Sequence, residues 1–146
     1  MTDQPAVLYH GLSARIERVV AEPDTALALG SGEIEVLGTP RLLAWCEQAT
    51  VESVAGLLGP GRTSVGTRVE LVHERASALG AVLSLRATLV HVDGRLLRFT
   101  VTAEQVEQDG ATAVAARAEV TRVVVDRERF LARLPPGQRR SDPAPA

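Results

Sequence analysis

Small and apolar residues follow two different periods along this chain. From residue 42 to 57 they recur every three or four positions: Leu43, Cys46, Thr50, Ser53 and Leu57, with Leu42, Ala49 and Val54 widening the same face. That spacing predicts one helix with a broad buried stripe. Thr39 stands where an N-cap is wanted. Pro40 suits the first helical position because its missing N–H costs nothing there. Gly59-Pro60-Gly61 supplies a stop. From about Ser64 the period becomes two. The stretches "SVGTRVELVH", "AVLSLRATLVHV", "RLLRFTVTAEQVE" and "ATAVAARAEVTRVVV" are rich in β-branched residues and read as long strands. Asp93-Gly94 marks a hairpin between the second and third, and Asp109-Gly110 leads into the fourth.

Upstream, "LSARIERVVAE" at 12–22 reads as a first strand. The Gly-Ser-Gly inside "EPDTALALGSGEIEVLG" suggests a mobile loop, and "DRERFLARL" a short closing helix. A strand, one long helix and four antiparallel strands make an α+β domain, with the sheet wrapped around the helix. The ends, 1–11 and 135–146, are rich in proline and polar residues and read as flexible arms around one domain at 12–134.

Composition narrows the classes. A chain of 146 residues suits a single domain with a real core. Trp45, Tyr9, Phe99 and Phe130 are its aromatic residues, so Val, Leu and Ala must build that core. The net charge is −2 and the sole basic block is Arg139-Arg140, which leaves no electrostatic footprint for nucleic acid. The single cysteine excludes an internal disulfide and a cysteine cluster for zinc; no metal or cofactor is expected. The start "MTDQPAVLYHGL" lacks a basic segment followed by an apolar run, and no stretch approaches the ~18 apolar residues of a membrane helix. The expectation is a cytoplasmic protein with no membrane partner.

Five residues could carry chemistry. Glu47 lies on the helix among Leu43, Trp45, Cys46 and Ala49, where an unpaired carboxylate is costly unless it points outward. His73 shares a strand face with Leu71 and Val69, the place of either a rim histidine or a proton carrier. Thr39 has a structural task as a cap, yet a helix start also gathers N–H groups suited to negative charge. Gly66 either marks a bulge or lets a ligand approach the backbone. Cys46 sits mid-helix beside Trp45, away from anything that would lower its pKa, and reads as structural. His10 and His91 lack comparable company. There is no G-x-S-x-G elbow, P-loop or dinucleotide fingerprint.

Taken together, "GTPRLLAWCE", "SVGT" and "VELVHERASALG" resemble the hot-dog-fold thioesterases of the fluoroacetyl-CoA thioesterase type. The shared features are a Thr ahead of the central helix, a Glu eight residues later, a Gly in the next strand and a His seven residues after it. "TRVVVDRERF" supplies the family's Arg eight residues before a Phe, here Arg122 and Phe130. The match runs over about residues 12–134. It implies a homodimer whose sheets join edge to edge, with two acyl-CoA sites at the interface. Glu47 would activate water or attack the carbonyl, and His73 would shuttle a proton to the thiolate. Thr39 would position the thioester or hydrogen-bond the intermediate, the Gly66 N–H would help hold the oxyanion, and Arg122 would contact substrate. Arg62, Arg68 or Arg75 could meet CoA phosphates. Thr39 and Glu47 are separated by about 12 Å of helix axis, so the substrate must span them. The fluoroacetate type also carries a phenylalanine-bearing lid before its Thr. "GSGEIEVLG" has no aromatic, which implies another acyl group or a more open pocket. The expected activity is hydrolysis of an acyl-CoA or acyl-carrier thioester. The alternative is a non-catalytic hot-dog protein that binds acyl-CoA or a small apolar ligand; the His and acid arrangement of hot-dog dehydratases is not found.

Overall fold

The computed structural model describes residues 8–138; the remainder of the two expected arms, 1–7 and 139–146, lies outside the described residues. Five strands form one antiparallel sheet: β1 (Ser13–Val19), β2 (Arg62–His73), β3 (Val82–Asp93), β4 (Leu96–Val106) and β5 (Thr112–Asp126). Their spatial order is β1-β3-β4-β5-β2, so β1 and β2 are the two edges. α1 (Ala26–Leu29) and α2 (Thr39–Ser53) precede β2, and α3 (Arg127–Ala132) follows β5. This is the α+β arrangement expected from the pattern, and it is consistent with the hot-dog fold that the resemblance implies, with α2 lying across β1, β3 and β4.

Period two explains the packing. Along β4 every second residue, Leu97, Phe99, Val101 and Ala103, is buried, and the same holds for Leu83, Leu85, Ala87 and Leu89 on β3. Leu42, Trp45, Cys46 and Ala49 of α2 meet them. Ala87, Ala103, Ala115, Ala116 and Ala118 keep the sheet's inner surface low, which lets the helix approach a core poor in aromatics. The β3–β4 hairpin falls where expected, one residue on from the expected pair: Asp93 pairs with Leu96, and Gly94 and Arg95 make the turn, with Gly94 at φ 57°.

Three local expectations are corrected. The helix ends at Ser53, not at Gly59; Val54 is its C-cap, Gly56 follows at φ 76°, and Leu57 lies beyond the helix. Thr39 is the first helical residue and Gly38 the N-cap. A Cβ at Gly38 would press on Leu29 and on the Ala26 backbone, so the close approach of α1 reserves that position for glycine. Third, the segment expected to be a loose loop is fastened at its base. Thr25 Oγ1 accepts from the Ala28 N–H, Gly38 N–H donates to the Asp24 carbonyl at 2.9 Å, and Arg41 pairs with Asp24 at 3.0 Å. Isolated bridges tie Thr25 to Leu37 and Val36 to Ala78. Its tip carries the exposed side chains of Leu27 and Ile34. His10 and His91 are both exposed and lie edge to face, ring centroids 6.4 Å apart.

Candidate active site

The first group of functional side chains forms where α2 begins. Because Thr39 sits inside the first turn, its hydroxyl is free of capping duty and lies 2.8 Å from His73 Nδ1. That distance is hydrogen-bonding range for a proton passed between hydroxyl and imidazole. His73 ends β2, and its Nε2 is buried with no partner among the described residues. In the tautomer with the proton on Nε2, the Thr39 hydroxyl donates to Nδ1 and Nε2–H is left to donate to a bound group. The pair opens into a cavity of about 290 Å³ whose other walls include Ala26, Ser31, Val36 and Arg75.

The second group forms at the other end of β2. Seven residues separate Gly66 from His73, and in a regular strand an odd separation sends two residues to opposite faces. Here the register shifts between Gly66 and Arg68, leaving Thr67 as a bulge. Ser64 and Gly66 before it, and Val69, Leu71 and His73 after it, therefore all face α2. Opposite Gly66 on β5 stands Arg122, 7% exposed. Its Nε donates to Ser64 Oγ at 2.8 Å, Nη2 to the Ser64 carbonyl at 3.1 Å, and Nη1 to Glu47 Oε2 at 3.2 Å. Glu47 Oε2 lies directly over Gly66: a Cβ there would collide with it. Glu47 Oε1 has no hydrogen-bond partner among the described residues, and about a third of this side chain is exposed.

Burial sets the electrostatics. It pushes the Cys46 thiol up to about 12, with the neighbouring Glu47 charge adding to the effect, so no thiolate is present near neutral pH. Burial also lowers the Arg122 pKa, against the opposing pull of Glu47. It holds His73 below its ordinary 6.5, with the Arg75 backbone acting the other way. His73 is therefore neutral at pH 7. As pH falls below 6.5 the unfolded chain takes a proton that the folded one resists. Stability from this source is complete above 6.5 and is lost on acidification towards the lower folded value. His73→Gln is expected to flatten this part of the stability profile, checked by urea unfolding at about pH 7.5 and about pH 5.5. An unchanged slope refutes it.

Of the residues singled out by sequence, the structure brings Thr39 to His73, and Glu47 to Gly66 and Arg122. It does not bring the two groups together within one chain: seven residues of strand between Gly66 and His73 span about 20 Å. Arg75 lines the Thr39–His73 cavity, while Arg68 pairs with Glu70 in solvent. Sequence reasoning missed Ser64; its signal was its place two residues before Gly66, on the same face. Among the described residues no three His, Cys, Asp or Glu side chains gather to hold a metal, and no helix is long and apolar enough to cross a membrane.

Comparison with known proteins places the fold. The family described as fluoroacetyl-CoA-specific thioesterase matches residues 20–128. The fluoroacetyl-CoA thioesterase of Streptantibioticus cattleyicolor is 31% identical over 100 residues, 68% of each chain. Among solved structures, the fluoroacetyl-CoA thioesterase FlK superposes with a TM-score of 0.76 at 28% identity, covering 88% of this chain and 99% of that one. A hot-dog-like protein from Thermanaerovibrio acidaminovorans gives 0.74 at 25% identity, covering 85% and 88%.

Proposed function

The chain belongs to the fluoroacetyl-CoA-specific thioesterase family, and on that premise we propose that it hydrolyses acyl-CoA thioesters at a site shared by two copies of the chain. The observation that carries this reading is the division of the site. Thr39 and His73 sit at one end of β2, Glu47 and Gly66 at the other, and β2 is an edge strand with one side unpaired. Such an edge invites a second strand. A two-fold antiparallel pairing centred near Val69 and Glu70 sets Gly66 level with the partner's His73. Each of two identical sites then draws its carboxylate from one protomer and its Thr–His pair from the other.

In that arrangement Glu47 Oε1 takes a proton from water as the water oxygen bonds to the thioester carbon. The carbonyl π electrons move onto oxygen, where the Gly66 N–H helps to hold the charge. On collapse the C–S bond breaks and its electron pair leaves with sulfur. Nε2–H of His73 protonates the sulfur while the Glu47 carboxyl returns its proton through water to Nε2; the Thr39 hydroxyl stays donated to Nδ1 and holds the tautomer. The products are the free acid and the thiol, with every group restored. The small side chains of Ala26, Ser31 and Val36 around the cavity, with no aromatic among them, favour acyl groups bulkier than fluoroacetyl.

The test is thiol release from a graded panel of acyl-CoAs, with the particle mass measured by light scattering. Turnover by a two-protomer particle is the expected result. Binding of several thioesters with turnover of none would make this a binding module. A monomeric particle with full activity would refute the shared site.

A further inference from the structure

Buried arginines need partners, and two of the three Arg122 hydrogen bonds go to one residue. Ser64 takes Nε through its hydroxyl and Nη2 through its carbonyl, which leaves Nη1 to meet Glu47. A guanidinium is a rigid planar fork, so fixing two of its nitrogens fixes the direction of the third. The Nη1–Oε2 contact, 3.2 Å, is longer than the ~2.7–2.9 Å of a tight charge-assisted bond. Two of the three contacts thus hold the guanidinium from behind, and they set where Nη1 meets the carboxylate. Gly66, two residues on and on the same face, leaves empty the volume that the Glu47 carboxylate fills.

We propose that Ser64 is a positioning residue of the site: with Arg122 it forms a clasp that holds the Glu47 carboxylate over Gly66, with Oε2 occupied and Oε1 turned to the water. Arg122 thereby acts through Glu47. The Ser-x-Gly spacing of β2 is then a seat for a carboxylate. Ser64 grips the arginine and Gly66 makes the room. This rests on the reading of Glu47 as the group that activates water.

Ser64→Ala removes the anchor of Nε and leaves the charges in place. It is expected to lower kcat by about ten- to a hundredfold with KM changed less than about threefold, the signature of a misplaced base and not of lost binding. Ser64→Thr, which keeps the hydroxyl, should restore kcat. In a Glu47→Gln background Ser64→Ala should cost nothing further, because the clasp has nothing left to place. Wild-type kcat in Ser64→Ala, failure of Ser64→Thr to rescue, or an equal loss in both backgrounds would each overturn the proposal. A wild-type chain that hydrolyses no thioester would sink the thioesterase reading alone. The clasp is then read from the carboxyl carbon-13 resonance of Glu47. It should broaden or shift in Ser64→Ala, and an unchanged signal overturns the proposal.

Discussion

Glu47→Gln is expected to lower kcat by about 10²- to 10⁴-fold, the span that a general base supplies, while the protein stays folded and paired. The substitution keeps the shape of the side chain, and its amide oxygen can still accept from Arg122 Nη1. What disappears is the charge and the capacity to take a proton. Removing one partner of a buried ion pair is usually costly because the other charge is stranded. Here the cost is limited, because Ser64 retains two of the three Arg122 contacts and Glu47 is partly open to solvent. Melting curves should therefore stay close to wild type as turnover collapses. The same variant also tests where the site lies. His73→Ala is expected to be inactive as well, and a heterodimer of the two keeps one site with both groups intact. After unfolding and refolding an equal mixture, random pairing should restore about one quarter of wild-type activity. If carboxylate and imidazole worked within one chain, the mixture would stay dead. Full turnover by Glu47→Gln would remove this residue from the chemistry altogether.

What was legible in the sequence was local. The change of period near Ser64, the place of the β3–β4 hairpin and the stripe of α2 each depend on residues a few positions apart, and each is found in the fold. The helix end was not legible. Val54 and Leu57 continue the apolar spacing, and only the left-handed backbone at Gly56 shows that the chain has already turned. Thr39-Pro40 reads as cap and first residue by composition, but the packing of α1 against Gly38 moves the helix start back and frees the threonine for His73. The resemblance named Glu47, Gly66, His73 and Arg122 but not how they meet. Ser64 and Arg122 lie 58 residues apart, Glu47 and Arg122 75. No periodicity carries that information. The bulge at Thr67, the bland reading of the glycine beside it, turns out to be the device that lets both ends of β2 face the helix.

Gly66→Ala is expected to abolish most activity without unfolding the protein. The backbone at Gly66 lies outside the left-handed region, so alanine adopts it without strain. The obstacle is the far end of the Glu47 side chain, which can rotate away, while Arg122 Nη1 would sit at an ordinary 3.4 Å from the new methyl. The melting temperature should thus move by only a few degrees, in line with about 1 kcal/mol or less. The carboxylate, however, must leave the place that Arg122 and Ser64 hold for it. A displacement of about 1 Å from the working position can cost about a hundredfold in rate. The substitution also separates two roles. Alanine keeps the N–H, so if residue 66 served only to hold the oxyanion, Gly66→Ala would stay active. If the glycine exists to make room for Glu47, kcat falls, and Gly66→Ala combined with Glu47→Gln is no slower than Glu47→Gln alone. Normal turnover in the alanine variant, measured beside a melting curve and the combined variant, would show that the carboxylate works from somewhere other than its place over β2.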